Sequence, residues 1–200
     1  MNAIEKLFDE HRLIERVIDA MEAFTATVQV EAEPSRCELM RLVTFFREFA
    51  DLIHHEKEEE FLMPALSEAG VRWDDGIMLQ IRKDHEFERY LLQTLRHLAL
   101  QTGQWSTEDC RRVIDVSTRF VQYMRGHIAR EDHQLLPIVR ERLVGAALEA
   151  VDQRMQRFDA KRESTGEIRL LLELADDLSA RCATSKALRQ VSGELIPVQQ

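Results

Sequence analysis

Asp51-Leu52-Ile53-His54-His55-Glu56-Lys57-Glu58-Glu59-Glu60-Phe61-Leu62-Met63-Pro64 is the stretch on which the fold turns. It sets two histidines and a run of acids between apolar residues, with no turn former before the proline. The apolar residues in and around it, Leu42, Phe45, Phe46, Phe49, Leu52, Ile53 and Met63, recur at helical spacing. At about 100° per residue, Glu56 and Glu59 fall inside that stripe and His55 at its edge. His54 and Glu58 fall on the opposite, solvated face. Acids make up 36 of the 200 residues, so a single His-x-x-x-Glu says little. What carries weight is a histidine or carboxylate inside an apolar stripe, where a buried charge needs a partner or a metal.

Working outward, the same design returns near residue 130. Leu62-Met63-Pro64 and Leu136-Pro137 each follow a helical turn rich in histidine and acid. In the later segment the stripe is Val113, Val116, Phe120, Met124, Ile128, Leu135 and Ile138. Glu131 lies near its centre, His127 inside it and Asp132 at its edge, while His133 points away. Two further amphipathic segments flank these. His11 lies among Ile4, Leu7, Phe8, Ile14 and Ile18, with Glu15 beside it. His85 lies among Ile77, Ile81, Leu92 and Leu95, with His97 facing outward. Each of four helices therefore sends one histidine inward, and the two that echo each other add a carboxylate one turn later.

The expected fold class is all-α: an antiparallel up-down-up-down four-helix bundle over residues 1–143, with a C-terminal helical extension over 144–200. The predicted helices cover about 3–28, 35–67, 75–101 and 106–143. Pro34 behind an acidic linker opens the second, and Ser106 with Asp109 forms a capping box for the fourth. Pro64 and Pro137 are expected to kink or end their helices, and short connections make successive helices antiparallel neighbours. The extension reads as two more helices, about 146–162 and 167–183, with a frayed end. It has no histidine and is expected to cover the bundle or to mediate a homodimer or protein contact.

Composition excludes several classes. Seven glycines and four prolines are few for 200 residues, which favours long helices. No apolar run approaches the ~20 residues of a membrane span, and no leader pattern opens the chain, so a soluble, cytoplasmic protein is expected. Cys37, Cys110 and Cys182 are scattered, without the spacing of a disulfide framework or a thiolate site. A net charge of −9 argues against a nucleic-acid partner, which needs a basic footprint.

Two facing His-x-x-x-Glu turns supply imidazoles and two carboxylates to one cage, which suits a dinuclear metal centre. Imidazole and carboxylate without thiolate favour iron or manganese over a structural zinc. No histidine has Glu three residues before it, against the Glu-x-x-His pattern of ferritin-like bundles. Glu15 either orients a ligand imidazole or pairs with a basic side chain.

The ordered motifs resemble the hemerythrin-like, HHE cation-binding family. They are His11-Arg12-Leu13-Ile14-Glu15, His54 through Leu66, Gly70 through Gly76, Asp84-His85-Glu86-Phe87-Glu88-Arg89, and His127-Ile128-Ala129-Arg130-Glu131-Asp132 through Pro137. The resemblance covers about residues 3–143. It implies two iron ions bridged by an oxo or hydroxo group and two carboxylates, with His11, His55, Glu59, His85, His127 and Glu131 as ligands; manganese or zinc are possible substitutes. Oxygen-carrying members place a second histidine one turn from the histidine of the third helix. Here those positions are Ile81 and Arg89. Glu56 is the favoured replacement and Glu88 the other candidate, and Asp132 is an alternative bridge.

The function so implied is binding or sensing of O₂ or a related small oxidant, peroxide or nitric oxide, at a non-haem di-iron site. A di-iron redox enzyme that consumes peroxide or delivers iron for repair is the second reading. A regulatory bundle with a structural metal site is the third.

Overall fold

The computed structural model describes residues 2–29 and 34–193. The acidic linker before Pro34 and the last residues, 194–200, expected to fray, lie outside the described residues. Every element is a helix, and no strand occurs among the described residues. Helix α1 is Ala3–Val28. Helix α2, residues 36–68, begins as Arg36–Phe45, widens into π-helix over Phe46–His55 and again over Glu58–Leu62, and ends as Met63–Glu68. Helix α3 is Gly76–Leu100. Helix α4, residues 107–142, runs Thr107–Arg130, a π turn at Glu131–Leu135 and Leu136–Arg142. Helices α5, Ala146–Ser164, and α6, Glu167–Gly193, form the extension. None is long and apolar enough to cross a membrane.

The starts are capped as the side chains allow. Asn2 and Glu5 make a reciprocal capping box on α1, and Ser106 and Asp109 make the expected one on α4. After α2 the chain reverses at Gly70, whose φ of 88° costs a glycine nothing. The Val71 amide then donates back to the Leu66 carbonyl at 2.9 Å.

The two prolines do not end their helices; the helices run through them in a widened turn. Pro64 and Pro137 have no N–H to offer, and their rings crowd the carbonyl four residues earlier. A π turn relieves both problems. In each case the residue before the proline closes it: the Met63 amide donates to the Glu58 carbonyl, and the Leu136 amide to the Glu131 carbonyl. Both carbonyls belong to glutamates at the centre described below.

Helix α1 packs on α4, α2 and α6, and α3 packs on α2 and α4. The apolar residues form two clusters. One holds Ile14, Ile18, Phe46, Phe49, Ile53, Leu92, Leu95, Phe120, Met124 and Ile128, joined by Leu171, Ala175 and Leu178 of α6. Phe46 meets Phe120 edge-on at 4.8 Å between centroids, and burying each such ring contributes about 1.5–3 kcal/mol. The other holds Leu7, Leu62, Met63, Leu66, Ile81, Leu135 and Val139, joined by Val151 and Met155 of α5. On each of α1 to α4 the chain leaves one cluster and enters the other across a buried polar stretch. Those stretches carry His11, His54 to Glu58, Asp84 to Glu88, and His127 to Glu131.

Candidate metal centre

Between the two apolar clusters five histidines and two glutamates converge. His11, His54, Glu58 and Glu131 form one group, and His55, His85 and His127 another. A third grouping, Glu58, His85, His127 and Glu131, overlaps both, so the two carboxylates are shared; within each group the ligand atoms lie within 4.8 Å of one another. All seven residues are buried. His11 Nε2 lies 3.0 Å from His54 Nε2 and 3.1 Å from a Glu131 oxygen. His127 Nε2 is 3.3 Å from that same Glu131 oxygen, and His85 Nε2 is 3.4 Å from Glu58.

A closed polar core does not look like this. Both oxygens of Glu58, both of Glu131, both ring nitrogens of His55 and His127, and His85 Nε2 have no hydrogen-bond partner. The close approaches to Glu131 are out of line for a hydrogen bond. Each unmet buried acceptor costs about 1–3 kcal/mol, and here ligand atoms of Glu58, His85, His127 and Glu131 lie within 4.8 Å of one another. Cations at the two overlapping positions would satisfy them together, so the donor set fits a dinuclear metal.

Behind the imidazoles stands a second layer. The Nδ1–H of His11 donates to Asp132 at 2.6 Å, that of His54 to Glu10 at 2.8 Å, and that of His85 to Glu59 at 2.6 Å. A carboxylate only accepts, so these contacts put the proton on Nδ1 and turn Nε2 inward, free to ligate. His127 Nδ1 faces Asp84, and His55 Nδ1 faces Asp51, each at 3.8 Å. Every one of these acids meets a cation: Arg12 on Asp132, Lys57 on Glu10, Arg130 on Asp84, and Arg89 shared by Glu59 and Asp51.

The charges respond strongly. Burial pushes the His11 imidazolium down, but Asp132 and Glu131 outweigh it and raise its pKa to about 9. His127 likewise resists burial, through Glu131 and Glu88, and stands at about 9. His85 and His54 are also raised against burial, and Glu131 is held well below the usual carboxylate range by His127 and His11 although burial opposes it. Protons thus neutralise the cage where metal cations would. His55 is the exception, pushed well down by burial and by the charges of His85 and His127. Glu10 is held at about 2, against burial, by His54 and Lys57.

Of the residues singled out in the sequence, His11, His55, His85, His127 and Glu131 come together here. Glu59 does not reach the shared space. It lies 29% exposed with its carboxylate on the Nδ1 side of His85, paired with Arg89. Glu56 is turned outward, 39% exposed, on Arg162 of α5. Glu15 is half-buried and pairs with Arg12. Asp132 sits behind His11 rather than between the groups. The placement of His54 and Glu58 on a solvated face is overturned: both are buried in the cage.

The reason is the wide helix. A π turn needs an extra residue to come round, so across Phe46–His55 the inward face slips by about one residue against the 100° count. His54 and Glu58 inherit the position computed for His55 and Glu59, while His55 stays buried toward α3. In α4 the π turn begins only at Glu131, so the count for His127 and Glu131 was undisturbed. A signal for the missed pair was present. Pro64 follows His54 by the same ten residues as Pro137 follows His127, so aligning the echo on its prolines matches His54 with His127 and Glu58 with Glu131.

Glu88 is the remaining inward acid. Its oxygens are buried and unpartnered, one of them 3.8 Å from His55 Nε2, and burial pushes its pKa up to about 7. With His55 it lines a small, mostly apolar crevice bounded by Phe46, Ala50, Leu92, Phe120 and Met124.

Residues 2–139 match the family model of the Hemerythrin HHE cation binding domain. No curated protein and no solved structure matches the chain.

Proposed function

We propose, since the chain belongs to the hemerythrin HHE cation-binding family, that it is a non-haem di-iron protein that binds or senses O₂ or a related small oxidant. The observation that carries this reading is the pair of overlapping donor groups sharing Glu58 and Glu131. His11 and His54 would serve one iron, and His55, His85 and His127 the other, with the two glutamates between them. His55 then supplies the third imidazole that oxygen carriers draw from their third helix, where this chain has Ile81 and Arg89. The uneven division leaves the His11/His54 side one protein donor short, and a position that the protein does not fill is where a small ligand enters. Bound iron would supply a redox-active Lewis acid. The chain's part is to fix the imidazoles through their Nδ1 partners, to hold water away with the two apolar clusters and to offer Glu88 as a further carboxylate beside His55.

Imidazole and carboxylate donors without thiolate support iron, with manganese as the nearest alternative. The same reading takes α1 to α4 as an up-down-up-down bundle, which the short connections and the pairing of neighbours support.

The test is to load the protein with ferrous iron anaerobically and follow its absorption spectrum on exposure to O₂, nitric oxide and peroxide. Reversible spectral change with O₂ or nitric oxide, and little net consumption, is the expected result. Sustained peroxide turnover well above that of free iron would replace this reading with the redox-enzyme one.

A further inference from the structure

The family match ends at residue 139, yet helix α5 beyond it reaches the centre. Lys57 is completely buried beside Glu10, which accepts from His54 Nδ1. Its ammonium also lies 3.5 Å from Asp159 on α5. Asp159 is itself buried and continues to Lys6, 2.7 Å away and part-exposed. These last two are ion pairs without hydrogen-bond alignment, since both Asp159 oxygens lack a hydrogen-bond partner. A line of alternating charge therefore runs from the surface through α5 to one imidazole of the cage: Lys6, Asp159, Lys57, Glu10, His54. Four buried ionic groups are costly unless each faces its opposite, and Asp159 is the member that keeps Lys57 from bearing on Glu10 alone.

The same helix grips the widened backbone on both sides of His54 and Glu58. Arg154 donates to the Glu60 carbonyl at 3.1 Å. That carbonyl is the one Pro64, lacking an N–H, cannot satisfy four residues on. Arg162 donates to the Leu52 carbonyl at 2.7 Å and to Glu56 at 3.1 Å. Arg154, Asp159 and Arg162 thus contact α2 at residues 60, 57, 52 and 56, all within the turns that decide which His-x-x-x-Glu pair faces inward.

The geometry points to α5 as a working part of the metal centre: Asp159 is a positioning residue that holds His54, through Lys57 and Glu10, for the metal position shared with His11. This rests on the di-iron reading above. The role is distinct from covering the bundle, because it predicts an effect confined to one of the two positions.

The experiment is iron binding to the full chain, wild type against Asp159→Asn, read as equivalents bound and affinity per equivalent, with the visible and Mössbauer signatures of each iron. Loss of a residue that orients a ligand imidazole costs typically 10- to 100-fold in metal affinity. The variant should bind one equivalent about 10- to 100-fold more weakly and leave the other unchanged, Asp159→Glu should restore it, and Asp176→Asn, at an exposed pair with Arg16, should change nothing. In a His54→Ala background, Asp159→Asn should have no further effect on metal. If Asp159→Asn does not fold, Arg154→Gln, which keeps the ion line and releases the Glu60 carbonyl and the face of Phe61, should weaken the same equivalent. Two equivalents bound with wild-type affinity and signatures in a folded variant would overturn this inference alone. Equal weakening of both equivalents would also overturn it, as the mark of general loosening. A wild-type chain that binds no metal overturns the di-iron reading and this inference with it.

Discussion

Stripping the metal by chelation should leave a protein whose stability falls as the pH rises from 6.5 to 9. In the metal-free cage His11 and His127 are raised from 6.5 to about 9, against burial, by Asp132, Glu131 and Glu88. The folded chain therefore binds more protons than the unfolded chain across that window, and stability declines with pH. At about 1.4 kcal/mol per unit, each histidine contributes roughly 3 kcal/mol, fully present below pH 6.5 and gone above about 9. Both lean on Glu131, so the pair contributes less than twice that. His54 and His85 shift in the same direction. The lowered His55 acts only below 6.5, where the unfolded chain takes up its proton. A loss of about 3 kcal/mol is a large share of the ~5–15 kcal/mol that holds a domain folded. The assay is urea unfolding followed by circular dichroism at pH 6.5, 7.5 and 9. In the metal-loaded protein the decline should shrink or reverse, because ligand imidazoles must be deprotonated. Metal-free stability that is flat or rises over this window would refute the charge assignment of the cage.

Glu58→Ala and Glu131→Ala should each lose most of the bound metal, Glu59→Ala should lower affinity by freeing His85 to turn, and Glu56→Ala should leave it unchanged; elemental analysis of desalted protein separates the three cases. Phe120→Ala should destabilise the fold by about 3–5 kcal/mol in denaturant melts while the metal content stays at wild-type level.

Where the helix is regular, the residues spell out their own placement. Helix α1 could be read as 3–28 because its apolar spacing never breaks, and His11 and His85 point inward as counted. The capping pair Ser106 and Asp109 was equally plain. The reading failed where backbone geometry, which leaves no trace in apolar periodicity, intervened. His54-His55-Glu56-Lys57-Glu58-Glu59 contains two His-x-x-x-Glu pairs one residue apart, and a slip of one position brings His54 and Glu58 into the centre and leaves Glu59 behind His85, while His55 keeps its place there. Only the π turns select between them, and the prolines that favour those turns lie downstream. The acids behind the histidines were beyond pattern reading for another reason. Counting set Glu59 inside one stripe and Asp132 at the edge of another, and only the imidazoles and arginines of other helices show that each stands behind a ring rather than inside the cage. Asp159 lies outside the bundle altogether, and nothing in its own helix marks it.

Anaerobic titration with ferrous iron, counting equivalents bound per chain, tests the central claim most directly. Two equivalents in the wild type, falling to one or fewer in His54→Ala and unaffected in His133→Ala, are predicted. A wild-type chain that takes up at most one equivalent, or a His54→Ala chain that still takes up two, would contradict the shared-carboxylate centre described here.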